Sequence, residues 1–180
     1  MTCLYRRVVN VPQMREVERV ACERYGLTES LIIENVGVEG AWFIQQRLSE
    51  LPPLPHRRRI KILALIGKGN NGADALSIAR QLLIHGCGIN SDYLTEVEKV
   101  EIDAWLLYEE EDSSPALKQQ IALARAYGVN ILQAPRNFGL PLSLSNGSAK
   151  LDVLLLLDGI LGTGLKAPLT PYLQEVIVKI

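Results

Sequence analysis

Two glycine-bearing segments hold the residues whose types and spacing can do chemistry. The first reads Gly67-Lys68-Gly69-Asn70-Asn71-Gly72-Ala73-Asp74. It follows an apolar run and precedes a helical pattern, the context that G-x-G-x-x-G requires. Glycines let a backbone approach a pyrophosphate, and the start of the next helix favours its negative charge. Asp92 stands 20 residues after Gly72, at about the spacing of a ribose-binding carboxylate. Taken alone, the pattern suggests a nicotinamide-dependent dehydrogenase domain with Asp92 at the tip of its strand. Three features count against that. Two asparagines fill the x-x positions. Asp74 falls in the first turn of the expected helix, where it would repel pyrophosphate. Two helical segments precede the first strand. The same residues also suit a plain strand-to-helix turn in which Asp74 complements the helix dipole.

The second segment reads Asp158-Gly159-Ile160-Leu161-Gly162-Thr163-Gly164-Leu165. Asp158 ends an apolar run, so it belongs at a strand's mouth. A carboxylate buried there alone would be costly, and it calls for a cation, a hydrogen-bond donor or a proton. Asn70 and Asn71 offer amide oxygens to the same mouth, and oxygen ligands select hard cations. As a lone carboxylate, Asp158 equally suits a turn former.

The elements that must position these loops are legible from periodicity. Pro12 opens a helix with Met14, Val17 and Ala21 on one stripe, and Gly26 ends it. A second helix spans about Glu29 to Leu48. Ile60 to Ile66 is a buried strand, and Ala73 to His85 a helix with His85 in its last turn. Ile89 to Thr95 reads as a strand. Glu96 to Asp112 holds eight acids and one lysine; Val97, Val100, Ala104 and Leu107 recur within it at helical spacing, which suggests a helix with a solvated acidic face. Ser113 or Ser114, with Pro115, starts another helix that runs to Gly128. Val129 to Leu132 and Leu151 to Asp158 are strands, and Pro171 opens a last helix. Strands alternating with helices predict an α/β fold with a mainly parallel sheet covered on both faces, two helices preceding the first strand. Ligands in such sheets sit at the strands' carboxyl ends, where both glycine loops fall.

At 48% hydrophobic and 22% charged residues, residues 1–180 read as one globular domain and not a disordered chain. A net charge of -1 argues against nucleic acid as a partner, and Arg57 to Arg59 read as a solvated edge. Cys3, Cys22 and Cys87 lack metal-ligand spacing. No apolar run is long enough to span a bilayer, and no targeting segment follows Arg6 and Arg7, so a cytoplasmic protein without membrane partners is expected. The chain ends at Ile180 inside an amphipathic helix, so the domain is expected to lack its last strand or strands and helix.

The segment Gly67 to Ala75 resembles the G-x-G-N-N-G-G-D-[GA] signature of the NAD(P)H-hydrate epimerase family, which shares its fold with the apolipoprotein A-I-binding-protein domain. Asp158 to Leu165 is similar to that family's D-A-[LI]-[FL]-G-T-G-L. Glu34-Asn35-Val36-Gly37 resembles its E-N-A-G, and Met14 and Glu18 its opening M-x-x-[ILV]-[DE]. The resemblance implies a Rossmann-like three-layer α/β/α sandwich, often a homodimer, that interconverts the R and S forms of hydrated NADH and NADPH. An S-specific dehydratase partner then restores the cofactor. It also implies a potassium ion held by Asn71 and Asp158. Asn70, Asn71, Gly72, Ala73 and Asp74, with Gly162, Thr163, Gly164, Leu165, Lys166, Ala167 and Pro168, would line the nucleotide site. Asp158 is the expected acid/base at the hydrated ring carbon. A non-catalytic nucleotide-binding or scaffold relative is the alternative. Ala73 and Lys68 depart from the signature, and Val36 stands for alanine where it would crowd a helix contact. The family also adds a further strand, a nucleotide-holding carboxylate and a Pro-Ser-Gly turn, none of which follows Ile180. Trp42 and Phe43 are expected in the core or, failing that, at a dimer contact.

Overall fold

The computed structural model describes residues 9–52, 58–85, 97–141, 150–164 and 168–180. Two helices lead. In α1 (Val11–Tyr25), Asn10 accepts from the Gln13 amide while the Gln13 side chain accepts from the Asn10 amide, a reciprocal cap. Thr28 caps α2 (Glu29–Ser49). There follow β1 (Arg58–Ile66), α3 (Asn70–Ile84), β2 (Val97–Leu106), a 3-10 turn at Glu110–Asp112, α4 (Pro115–Ala126), β3 (Asn130–Gln133), β4 (Val153–Gly159) and α5 (Pro171–Lys179). Ser114 and Thr170 cap α4 and α5, each with proline in the first turn.

The four strands form one parallel sheet in the order β3-β2-β1-β4. Alternation along β1 sends Ile60, Ile62, Ala64 and Ile66 into a core under α2, α3 and α4. Leu63 and Leu65 go to the opposite face, covered by α5 and Phe138. This is the expected three-layer α/β arrangement. Order runs β1, β2, β3 outward on one side, then returns to β4 on the other, so the topological switch point lies between β1 and β4. Their ends are level, with Leu65 beside Asp158 and Ile66 beside Gly159.

Several expectations need correction. The acidic segment is a strand and a turn, not a helix. Val100, Ile102, Ala104 and Leu106 alternate toward the core, while Glu101 and Asp103 face Lys61 at 3.3 and 2.8 Å. Lys61 is only 3% exposed, so these two acids are held by a buried cation and not by solvent. The strand expected at Ile89 to Thr95 lies outside the described residues, as does Asp92; the strand following α3 begins at Val97. Helix α3 starts at Asn70, earlier than expected, which moves Asp74 out of its first turn. The α1 stripe is not core: Met14 is 47% and Val17 54% exposed. Trp42 and Phe43 are likewise 55% and 54% exposed, not packed inside. Val36 is exposed too; the tight contact of α2 with α3 is made by Gly37, where a Cβ would collide with the Ser77 side chain. Arg59, at the amino end of the interior strand β1, pairs with Asp152, whose carboxylate also accepts from the Arg59 amide at 2.9 Å.

Candidate functional site

The two glycine loops meet at the switch point because their backbones touch. The Gly67 amide donates to the Gly159 carbonyl at 3.0 Å. A Cβ on Gly67 would strike the Ile160 carbonyl, and one on Gly72 would strike the Gly67 carbonyl. Glycine is thus required here by close approach, and neither residue has a positive φ. Gly69 is the N-cap of α3 and no side chain caps that helix, which leaves its first amides directed at the mouth. Ala73 is helical and fully buried, so it strains nothing.

Asn71 joins the loops. Its Nδ2 donates to the main-chain carbonyls of Asp158 (3.1 Å) and Leu161 (3.2 Å). The Asp158 side chain is exposed, and its Oδ1 accepts from the Ile160 amide at 3.0 Å. This is the turn-forming contact expected of a lone aspartate. The structure thus brings Asn71 and Asp158 together. It takes Asn70 elsewhere: its Nδ2 donates to Glu29 Oε1 on α2 at 2.6 Å. Gly162 packs against Asn71, and the Thr163 carbonyl accepts from Arg15 at 3.1 Å. Gly164 and Pro168 are exposed; Leu165, Lys166 and Ala167 lie outside the described residues. Lys68 reaches the segment that follows β2, its ammonium 5.3 Å from the centre of the Tyr108 ring.

Donors at the mouth are oxygens: the Asp158 carboxylate, the Asn71 amide oxygen and the loop carbonyls. Among the described residues, no group of three or more His, Cys, Asp or Glu is placed to hold a metal. That set fits a hard cation that accepts carbonyl and amide ligands.

On the other side of α3's start, a cavity of about 350 Å³ opens between α1, α2 and α3. Arg15, Glu18, Glu29, Ile32, Asn70 and Asp74 line it. Burial, and then the charges of Glu18 and Glu29, push the Asp74 carboxyl up to about 6. Sequence reasoning missed Arg15, Glu18 and Glu29 as site residues. One signal was available: Arg15, Glu18 and Cys22 recur at helical spacing, a polar stripe beside the apolar one.

Strand order and paired glycine loops make this a doubly wound α/β domain with its topological switch point between β1 and β4. Comparison with known proteins narrows that class. The chain belongs to the family described as YjeF-related protein N-terminus, matched over residues 29–180. It is similar to the NAD(P)H-hydrate epimerase of Rhodopirellula baltica, with 29% identity over 98% of this chain and 63% of that protein. The NAD(P)H-hydrate epimerase of Leuconostoc mesenteroides is 24% identical over 95% of this chain and 62% of its own length. The bifunctional NAD(P)H-hydrate repair enzyme Nnr of Thermofilum pendens is 29% identical over 95% of this chain and 28% of that protein. The chain therefore spans less than two thirds of the curated relatives it matches. In fold it is similar to the crystal structure of the yeast protein ynu0, with a TM-score of 0.66 at 17% identity, covering 96% of this chain and 64% of that one. No described helix is long and apolar enough to cross a membrane.

Proposed function

We propose that this chain epimerises the R and S forms of hydrated NADH and NADPH in nicotinamide-cofactor repair. The observation that carries this reading is the junction of the two glycine loops at the switch point, fastened by Asn71 to the carbonyls of Asp158 and Leu161. Family membership and the printed activities of its relatives support it. Asn70 to Asp74 and Gly162 to Pro168 would line the nucleotide, with the open start of α3 toward its phosphates. Asn71 and Asp158 would hold a potassium ion, which would supply positive charge beside the anionic substrate. The product would pass to an S-specific dehydratase, an activity consistent with the bifunctional repair enzymes among the relatives. A homodimer through α2 and a cytoplasmic setting complete the proposal.

A coupled assay tests it. The chain is mixed with hydrated NADH enriched in the R form, an S-specific dehydratase and potassium, and NADH recovery is followed by absorbance. The expected result is a rate well above the protein-free background that falls at least tenfold in Asn71→Ala. A folded chain that binds the nucleotide and gives only the background rate would instead identify a non-catalytic member of the family.

A further inference from the structure

Asp74 has no place in the proposed chemistry beyond lining a nucleotide, yet the fold sets it in a distinctive position. It stands one turn into α3, half-buried, at the floor of the cavity between α1, α2 and α3. No hydrogen bond to its carboxylate is made among the described residues. Glu18 from α1 and Glu29 from α2 face it, and Ile32 and Ile33 supply an apolar wall. The cations at the cavity are engaged elsewhere: Arg15 donates to the Thr163 carbonyl, and Arg19 pairs with Glu16 and Glu23 along α1. The cavity is also joined to both glycine loops, through Glu29 to Asn70 and through Arg15 to Thr163. The cavity therefore adjoins both of the loops that would hold a nucleotide.

We propose that the cavity seats the hydrated nicotinamide ring and that Asp74, in place of Asp158, which does not line the cavity, is the acid that moves the proton during epimerisation. The inference rests on the epimerase reading. In its acid form Asp74 gives a proton to the hydroxyl on the hydrated carbon. The C–O bond breaks, the lone pair of the ring nitrogen forms a C=N bond, and water departs. Water then adds to the opposite face, the C=N electrons return to nitrogen, and the released proton goes back to the Asp74 carboxylate. Nothing is oxidised or reduced, and no co-reactant beyond water is needed. The neighbours explain why the group is protonated when required: burial and two facing carboxylates disfavour its charge, and no facing cation relieves it.

The test is the pH dependence of kcat/KM for the 180-residue chain in the coupled assay, with the protein-free rate subtracted at each pH. The profile of the free enzyme reports the titrating group. The expected wild-type rate falls as pH rises through about 6. Asp74→Asn should lower kcat about 100-fold or more with KM little changed. Glu18→Gln removes a facing charge, so the limb should move to lower pH. A wild-type rate that survives Asp74→Asn, or a limb that Glu18→Gln leaves in place, overturns the assignment alone. A wild-type chain with no rate above background overturns the epimerase reading and this assignment with it.

Discussion

Asp74 is destabilising when charged, and that has a measurable consequence apart from catalysis. Its folded-state value of about 6 lies above its ordinary 3.8. The unfolded chain therefore releases this proton at lower pH than the folded chain. Its contribution to stability is fully present below about pH 4 and is lost as pH rises through about 6. Asp74→Asn removes that loss. The variant should match wild type near pH 4 and be more stable by about 1 kcal/mol near pH 7.5, a value discounted for the carboxyl's partial exposure. Thermal melts at the two pH values check this; equal stabilisation at both would show that charge is not the cause. Enzymes commonly keep a destabilising group where activity needs it. That Asn71 and Asp158 lie close together is legible from the sequence, because each adjoins a glycine at a strand's carboxyl end. The neighbours that set Asp74's behaviour were not, since Glu18 and Glu29 reach it from helices far back in the chain. Asn70 illustrates the same limit. Its amide chemistry was visible, but only the position of Glu29 shows which way it turns.

At the scale of elements, β1, β3, β4 and four of the five helices follow closely from apolar runs, caps and prolines. The start of α3 and the whole of β2 do not. Asn70 begins α3 because Gly69 takes the cap position without a side-chain bond, a role invisible in a glycine-rich string. The β2 segment satisfies both helical and alternating periods over its apolar residues, and its acids tilt a reader toward solvent. The deciding residue is Lys61, a cation in the middle of an apolar strand that meets Glu101 and Asp103 across the sheet. Asn130 on β3 adds a 2.7 Å hydrogen bond to Asp103. Burial disfavours the lysine's charge, but these carboxylates outweigh it and raise its pKa. Removing one partner from such a buried group leaves uncompensated charge, which costs about 3–5 kcal/mol. Lys61→Met should lower stability by that amount, read from the urea midpoint, and adding Asp103→Leu and Glu101→Leu should restore much of it. A single variant as stable as wild type would mean that the acids are accommodated without the cation.

For the molecule as a whole, the sheet and its coverings account for the buried face of α2 but not for its outer one. Ile33, Gly37, Ala41 and Leu48 point inward toward α3. Leu31, Val38 and Trp42 recur at helical spacing on the outside, with Phe43 alongside, and all four are exposed. Met14 and Val17 leave α1 in the same condition. Scattered apolar residues on a surface are ordinary; a stripe of large ones along one helix is the pattern of a contact surface. For Trp42 and Phe43 the sequence favours the core over a partner contact, because both sit on a helix with apolar residues on nearly every face. Their exposure supports the second use. A homodimer through α2 then carries a definite expectation. Sedimentation of the wild-type chain should give a two-chain species. Trp42→Glu places a charge within the stripe, where a large aromatic residue can contribute about 2 kcal/mol or more to association. The variant should sediment as a monomer with its helical content unchanged, because Trp42 contributes nothing to the buried side of α2. A wild-type chain that stays monomeric at high protein concentration would remove the dimer and leave the stripe without that occupant. The switch-point crevice is built from β1, β4 and the start of α3, so its local geometry should persist in the monomeric variant. Nucleotide binding measured on that variant would show whether the site depends on the second copy.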